Sequence, residues 1–373
     1  MGRFKENILT IIDDFREQLE SFSTPYSFCI SAVRMARALN ALGMKESAEK
    51  IIEEVKKRMK VVRDSYKLSQ IFFELSLFYG DTGMPEKRKR YLKMALDESR
   101  KCGKISGSTL LERYAEKFFE TGDQELAVEI AKNIPDENIR RTTLYGFFIS
   151  GLRTPETEKA AGEMEREIRK GDSLKLKCSV EHRMDPELLS AEPEDYVYSI
   201  LEISRGLLRR GEKKKASEIL EDAICAVEDI QDPDLRSMLL MDIARLKNEA
   251  NENVDGILEE VFRIRVSSIV HLDNLLGAAD IFRKRGENQR VWEMIYMAFE
   301  ESLQEQDPFL GISMLGKIAR KTAELNMPDV AIEAVEHMLH LLEKLESRWQ
   351  KEDAILNLSE VIQIIATLTA IDP

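Results

Sequence analysis

Apolar residues recur at helical spacing along almost the whole 373-residue chain, and short breaks interrupt them at regular intervals. Each break is a residue that accepts a left-handed backbone conformation at the end of a helix. Three of the five separations between breaks are about 40 residues, and the other two are about twice that length. This period predicts a helical solenoid with one further unit hidden in each long gap. The breaks are Gly43, Gly83, Gly122, Gly211, Gly286 and Asn326.

Residue size around each break follows a second rule. A small residue stands seven positions before the break, and a large one stands four before it in five of six units. Two antiparallel helices can approach closely only where small residues meet, so the pattern predicts helical hairpins. The second helix carries alanine five positions after the break in four units, whereas Val291 and Arg88 depart from the rule. The small residues of the first helix are Ala36, Ser76, Ala115, Ser204, Ala279 and Ala319.

These units resemble the tetratricopeptide repeat (TPR) family. The best matches are Phe72-x2-Leu75-Ser76-x2-Tyr79 before Gly83 and Ile200-x2-Ile203-Ser204-x2-Leu207 before Gly211. Six units match the motif over nearly the whole chain, although they are longer than the family's usual 34-residue repeat. The resemblance implies an all-α, right-handed superhelical solenoid of about eight helix-turn-helix repeats with capping helices. Another α-solenoid, such as a HEAT-like array, is the alternative fold.

The helical pattern is interrupted once, which predicts a division of the chain. Residues 1–170 would form a capping helix and about four repeats, and residues 196–373 about four repeats and a further cap. Residues 171–195 would be an irregular linker, in which apolar and polar residues alternate from Leu174 to Val180. We predict an extended segment there that rests on neighbouring helices, and a sharper hypothesis places it in the concave groove.

The resemblance implies that the first helix of each repeat lines a concave groove. Lysine and asparagine, with which family members clamp a terminal carboxylate, are absent from the corresponding positions. The groove would instead combine apolar residues with isolated arginine anchors and suit a peptide that carries acidic and apolar side chains. The alternative is that the apolar residues pack on the next repeat. The predicted groove residues are Arg37, Phe73, Leu77, Glu116, Phe119, Tyr198, Leu201, Arg205 and Arg320.

Charge and chemistry narrow the functional classes. The chain has 55 Lys and Arg residues against 68 Asp and Glu, a net charge of −13, which disfavours a nucleic-acid partner. Its four cysteines lie far apart, which disfavours a disulfide framework or a zinc ribbon. His337 and His340 share a helix face but have no cysteine nearby, and no glycine-rich phosphate motif occurs. The sequence therefore predicts neither an enzyme nor a cofactor.

The predicted function is a non-catalytic scaffold that binds a peptide or partner protein in its groove. The alternative is a helical regulator or sensor whose groove binds a small ligand or nucleic acid. No apolar run reaches the ~20 residues that span a bilayer, and the first residues lack a signal-peptide pattern, so we expect a cytoplasmic protein without a membrane partner.

The last helix predicts a contact of its own. Residues 361–371 are apolar all the way round, so one face can pack on the preceding repeat while Val361, Ile364 and Leu368 point elsewhere. Either this helix folds back under the array, or it forms a homodimer with a second copy. The homodimer is the favoured prediction.

Overall fold

The computed structural model describes residues 2–22, 24–170, 193–209 and 211–371. In these ranges the chain forms eighteen α-helices, one short 3-10 helix at Met59–Val61 and connecting turns, with no strand. The predicted all-α fold of tandem helical repeats is therefore confirmed. The predicted extended segment between Leu174 and Val180, and with it Cys178 and His182, lies outside the described residues.

The chain folds into two compact units. Unit 1 comprises residues 1–165 and 306–373, and unit 2 comprises residues 166–305. The sequence placed a single boundary at residues 171–195, whereas the structure groups the last three helices with the N-terminal part. The reason is a set of contacts between helices from the two ends of the chain, described below.

Unit 1 contains twelve of the described helices. They are α1 (Gly2–Phe22), α2 (Pro25–Ala41), α3 (Lys45–Arg58), α4 (Ser65–Asp81), α5 (Pro85–Ser99), α6 (Lys104–Glu120), α7 (Gln124–Lys132), α8 (Glu137–Ile149) and α9 (Pro155–Lys170), then α16 (Pro308–Glu324), α17 (Pro328–Lys344) and α18 (Arg348–Ile371). Helix α9 extends a few residues past the boundary of the unit. The first helices of successive hairpins, α2, α4, α6 and α8, pack side by side.

Unit 2 contains six described helices arranged as three hairpins. They are α10 (Pro193–Arg209), α11 (Lys213–Val227), α12 (Pro233–Glu249), α13 (Asp255–Arg263), α14 (Ser268–Arg285) and α15 (Asn288–Gln304). The first helices α10, α12 and α14 again pack in sequence. Buried polar contacts bridge them, such as the hydrogen bond of 2.7 Å that Asn274 Nδ2 donates to Ser237 Oγ.

The turns within the hairpins have the predicted backbone conformation. All six predicted break residues have a positive φ, between 57° at Asn326 and 83° at Gly43 and Gly122. Two more positive-φ residues, Gly151 and Asn251, mark the units hidden in the long gaps. Glycine and asparagine stand there because the left-handed region is costly for most other residues.

First helices and second helices begin in different ways. Many first helices follow an aspartate or threonine whose side chain accepts a backbone N–H of the first turn, as Asp64 accepts from Lys67 at 2.9 Å. Second helices follow directly after the left-handed turn and lack such a side-chain cap, as at Met44 and Glu212. The turn itself satisfies the end of the first helix, because the N–H after each break returns to a carbonyl in that helix.

The small residues that the sequence predicts at the helix crossings are all buried in the structure. Ala36, Ala115, Ala279 and Ala319 are fully buried, and so are Ser76 and Ser204. The departure at Arg88 also has a structural explanation. Its guanidinium binds Asp123 at 2.6 Å and lies over the ring of Phe118, and Gly80 leaves room for its stem. The register predicted from residue size is therefore confirmed.

The two ends of the chain meet in unit 1. Helix α18 packs on α16 as the next first helix, and its other side packs on α2. Helix α1 contacts α17, α18 and α2. It therefore occupies the position of a second helix whose first helix is α18. Helices α18 and α1 therefore form a composite helix pair, with its first helix from the C-terminal end and its second from the N-terminal end.

This composite pair accounts for the apolar final helix. On the face predicted to pack on the preceding repeat, Ile362 and Ile365 are buried. Of the second stripe, Val361 is fully buried, Ile364 is half-buried and Leu368 is exposed. Helix α2 of the same chain packs on α18, as in the fold-back alternative, while part of the stripe on which the predicted homodimer depended stays exposed. The homodimer stays a prediction that sedimentation equilibrium at micromolar concentration would test.

One glycine tests the close packing between hairpins. A Cβ atom at Gly107 would lie 2.6 Å from the backbone oxygen of Ser99, so we expect Gly107→Ala to destabilise the protein by roughly 1–3 kcal/mol. Gly146→Ala is the matched control, because no atom lies within 4 Å of its Cβ position and alanine favours a helix by up to about 1 kcal/mol. Urea unfolding followed by circular dichroism would compare them. Equal stability of the two variants would contradict this packing.

A second substitution tests the register in unit 2. Ala216 is fully buried at a helix crossing, so Ala216→Leu should overpack it and cost roughly 1–3 kcal/mol. Lys214 lies two residues earlier with its side chain 91% exposed, so Lys214→Leu should change stability by less than about 0.5 kcal/mol. Thermal unfolding would compare the stability of the two variants. Similar losses of stability in both would mean that the predicted register of this hairpin is incorrect.

Candidate functional site

A polar cleft of about 580 Å³ lies in unit 1. It is lined by five first helices, α2, α4 and α6 from the N-terminal part and α16 and α18 from the C-terminal part. Five of the nine predicted groove residues line this cleft, namely Arg37, Phe73, Leu77, Glu116 and Arg320. The cleft brings these five residues together on hairpins that the sequence did not place side by side.

The predicted apolar residues of the cleft are part of its wall. The ring of Phe73 stacks on Tyr114 with centroids 3.9 Å apart and meets Phe118 edge-on at 5.6 Å. Phe73 and Leu77 are only 7% and 6% exposed. They pack between neighbouring repeats, which was the alternative interpretation of these residues, and give the cleft an apolar floor.

The arginines of α2 are engaged by the chain itself. Arg37 Nε donates to Asp81 Oδ2 at 2.6 Å, and Arg37 Nη1 donates to Gln363 of α18 at 3.5 Å. Arg34 Nε donates to Glu74 Oε1 at 3.0 Å, and its Nη1 donates to the Leu356 carbonyl of α18, also at 3.0 Å. Both arginines therefore join three first helices, and neither is an isolated anchor of the kind predicted for Arg37.

Glu74 is the buried charge at the centre of this network. The residue is only 9% exposed, and its Oε2 accepts no hydrogen bond from any described residue. Arg37 Nη1 is 3.6 Å from this oxygen, close enough for electrostatic attraction but too far for a hydrogen bond. Burial opposes the charge of Arg34, but the nearby carboxylates Glu74 and Glu360 raise the pKa of Arg34 above its ordinary value.

Arg320 plays the corresponding part on the C-terminal side of the cleft. Its Nη1 donates to Asn357 Oδ1 at 2.9 Å and lies 3.9 Å from Glu360. Gly316, one turn earlier, leaves space for Asn357, because a Cβ there would lie 2.9–3.3 Å from the amide group. The predicted arginine is thus held between α16 and α18 by their own side chains.

The rim of the cleft carries charges that the network does not use. Glu116 and Asp353 are exposed and have no ion-pair partner within 4 Å among the described residues. Burial, and then the neighbouring carboxylates Glu112 and Glu120, raise the pKa of Glu116 above its ordinary value. Arg113, an exposed cation at the rim, also has no ion-pair partner within 4 Å among the described residues, and its charge partly offsets the rise in the pKa of Glu116. Lys117 pairs with Glu120 at 3.1 Å.

The other four predicted groove residues do not line this cleft. Phe119 stacks on Phe147 of the next hairpin with centroids 4.5 Å apart. Tyr198, Leu201 and Arg205 belong to unit 2, where Leu201 is fully buried and Tyr198 is 49% exposed. Arg205 lies 3.5 Å from Asp242 of the next first helix, the same kind of bridge between repeats that Arg37 makes.

Sequence reasoning missed Arg34, Glu74 and Glu360. A signal was available for the first two, because Arg34 and Glu74 are 40 residues apart, about one repeat, and so meet on adjacent first helices. No comparable signal identified Glu360, because the sequence predicted α18 to be a terminal capping helix. Its contacts with α2 join residues more than 300 positions apart.

The described residues offer little else of catalytic or metal-binding character. They contain no group of three or more His, Cys, Asp or Glu side chains placed to hold a metal ion. Burial raises the pKa of the Cys29 thiol to about 12, so that its reactive thiolate form is disfavoured. None of the described helices is long and apolar enough to cross a membrane.

Comparison with known proteins adds distant similarity to solved structures. No protein-family model matches the sequence, and no curated protein matches it. A solved structure described as a circular tandem repeat protein with novel repeat topology and enhanced subunit contact surfaces is aligned over 91% of this chain and 84% of its own. The two share 16% identical residues and a TM-score of 0.24, a similarity that says nothing about function.

Proposed function

We propose that this protein is a non-catalytic, TPR-like scaffold in the cytoplasm that binds a partner polypeptide in the cleft of unit 1. The observation that carries the proposal is the shared cleft of five first helices, whose polar groups project from regular, well-packed elements. A site built on rigid helices presents its side chains with little loss of conformational entropy on binding. The cleft has a volume of about 580 Å³, which is enough to hold a few side chains of a partner.

The charge pattern supports a polypeptide over a nucleic acid as the partner. Five carboxylates and five basic side chains line the cleft, so it carries no excess of positive charge, and the chain has a net charge of −13. Nucleic-acid binding relies on a basic field, which neither the cleft nor the net charge of the chain supplies. A small polar ligand remains the second candidate, because the cleft volume also lies in the range of small-molecule sites.

Peptide selection with site-specific crosslinking tests the proposal. We expect a random-peptide phage library to yield peptides that bind the purified protein. A photo-crosslinking amino acid at Lys117, on the rim of the cleft, should capture these peptides. The same group at Lys89, which is exposed on α5 and does not line the cleft, should capture at most about a tenth as much. Equal capture at both positions, or a library without binders, would contradict a scaffold that uses this cleft.

A further inference from the structure

We propose that a basic edge of unit 1 docks an acidic polypeptide segment that also carries apolar side chains. The basic edge consists of residues 57–67, which lead from the end of α3 to the start of α4, and residues 100–105, which lead from the end of α5 to the start of α6. None of these residues lines the cleft. The inference therefore concerns a second surface and does not depend on the proposed function of the cleft.

The two segments of the basic edge are neighbours. Each segment leads into a first helix, and because α4 and α6 pack side by side, the first turns of both helices lie at the same end of the repeats. Burial opposes the charge of Glu98, but side-chain hydrogen bonds from Lys101 and from Ser65 at the start of α4 lower the pKa of this carboxyl below its ordinary value. Burial, and then the carboxylates of Asp64 and Glu98, raise the pKa of the Cys102 thiol. The side chains of both segments therefore share one surface.

The basic edge carries positive charge, although the chain as a whole is acidic. Residues 57–67 contain five Lys or Arg side chains and one Asp, and residues 100–105 contain three Lys or Arg and no carboxylate. Lys57, Lys60 and Arg63 are exposed and have no ion-pair partner within 4 Å among the described residues, so they remain available to a partner. The other five cations are engaged by the chain, four in ion pairs of 2.6–3.1 Å and one over an aromatic ring: Arg58, Arg100, Lys101, Lys104 and Lys67.

Two exposed aliphatic side chains lie next to these cations in the chain. Val61, at the end of the 3-10 helix, is 63% exposed, and Ile105, in the first turn of α6, is 62% exposed. Every other valine, leucine, isoleucine and methionine that the structure describes is less exposed. Single exposed apolar residues are common on protein surfaces, but apolar residues on neighbouring segments with a polar surround are typical of an interaction site. A partner that covers them removes apolar surface from water, which favours binding.

Charge and side-chain type together favour an acidic polypeptide as the occupant. Aspartate and glutamate complement the three unpaired cations, and an apolar residue between them can cover Val61 or Ile105. Single-stranded nucleic acid stacks its bases on aromatic side chains, whereas the one aromatic residue of the basic edge, Tyr66, is half-buried. An anionic bilayer would extend beyond the basic edge to the rest of the chain, and the net charge of −13 opposes its approach.

Fluorescence anisotropy with three matched peptides tests the inference. The first, the glutamate–leucine peptide, is a short fluorescein-labelled peptide with two leucines among glutamates. The second has lysine in place of each glutamate, and the third has serine in place of each leucine. We expect the purified protein to bind the glutamate–leucine peptide, to bind the serine peptide about tenfold more weakly, and to show no measurable binding of the lysine peptide. Binding should weaken with added salt, because exposed charges contribute to it.

Charge variants locate the binding at the basic edge. Lys60→Gln/Arg63→Gln should weaken binding of the glutamate–leucine peptide by about fivefold. Lys213→Gln/Arg265→Gln is the matched control, because it removes one Lys and one Arg of unit 2 that are also exposed and have no ion-pair partner within 4 Å in the described part of the chain. The control should change binding by less than about twofold.

A second pair of variants tests the aliphatic side chains. Val61→Ser/Ile105→Ser should weaken binding of the glutamate–leucine peptide by about tenfold. The control Met238→Ser/Ile269→Ser changes two exposed apolar residues of unit 2, and it should change binding by less than about twofold. All four side chains are exposed, so both variants should keep the helical circular dichroism of the parent protein.

Two further probes distinguish the other occupants, a labelled single-stranded DNA oligonucleotide and vesicles of phosphatidylserine and phosphatidylcholine. Tighter binding of either probe than of the glutamate–leucine peptide, with the same loss in the edge variants, would overturn the polypeptide assignment. Equal losses in the edge variants and their controls, or no binding of the glutamate–leucine peptide, would overturn the docking surface itself. The scaffold proposal has a separate readout, capture by the crosslinker at Lys117 in the cleft, so each proposal can fail without the other.

Discussion

Val361→Asp in the last helix should destabilise unit 1 by roughly 3–5 kcal/mol, the largest effect that we expect from one substitution. Val361 is fully buried in α18, which packs on α16, α17, α1 and α2. The substitution removes a buried apolar side chain and places a carboxylate at a position closed to solvent. Because α18 joins the hairpins at the two ends of the chain, its loss also uncovers the apolar face of α2.

Tryptophan fluorescence reports on unit 1 by itself. The chain has two tryptophans, Trp292 in unit 2 and Trp349 at the start of α18, where it contacts Phe309. In a Trp292→Phe background, the urea midpoint of the Trp349 signal should fall steeply for Val361→Asp. Leu368→Glu is the matched control, because Leu368 is 37% exposed and a charge there stays solvated. An unchanged midpoint for Val361→Asp would mean that α18 does not close unit 1.

Glu74→Met should cost about 3 kcal/mol, because it leaves the guanidinium of Arg34 buried without its closest carboxylate. The Arg34 side chain is only 16% exposed, and its remaining contacts are the Leu356 carbonyl at 3.0 Å and Glu360 at 3.8 Å. Methionine fills a similar volume, so the loss measures the charge rather than a cavity. Arg37 is affected less, since it retains Asp81.

The double substitution Arg34→Met/Glu74→Met is the control for this interaction. It removes both charges, and an apolar pair of similar volume is often as stable as a buried ion pair. We expect the double variant to recover most of the stability lost in Glu74→Met, measured as the same Trp349 urea midpoint. If the loss in the double variant equals the sum of the losses in Arg34→Met and Glu74→Met, the two side chains do not interact. The central network of the cleft would then be incorrect.

The cleft depends on both ends of the chain, which gives the N-terminal and C-terminal helices a role beyond capping. Arg34 and Arg37 of α2 are held in place by Leu356 and Gln363 of α18. Disruption of α18 should therefore abolish binding at the cleft as well as stability. Leu368→Glu should leave both intact, because Leu368 does not line the cleft.

Local sequence rules predicted the repeats well because they act over short distances. A left-handed turn requires a residue that tolerates a positive φ, so Gly83 is recognisable from the sequence. A close helix crossing requires a small side chain, so Ala115 is recognisable as well. Gly151 and Asn251 were overlooked as turn residues because the hairpins around them match the repeat pattern less well, although both hairpins were predicted from their apolar spacing.

Site residues were harder to interpret because sequence shows a charge but not its partner. Arg37 and Arg320 both line the cleft, but the sequence predicted them to be isolated anchors. Their partners Asp81 and Asn357 come from the next first helix, so the register between repeats decides whether each arginine is available. Phe73 was likewise predicted to be a groove residue, and its stacking on Tyr114 makes it part of the floor.

The sequence by itself determined the all-α class, the helical hairpins, their turns and the residues at their crossings, because each depends on backbone conformation and side-chain size within about one repeat. Only the tertiary structure decided that α18 and α1 complete one helix pair and that α2, α4, α6, α16 and α18 line one cleft. These contacts join residues more than 300 positions apart, as between Arg34 and Leu356. An apolar helix face has the same sequence pattern whether a second chain or a distant part of the same chain covers it. The packing of the whole unit therefore decides which partner covers it and which charges in the cleft remain unpaired.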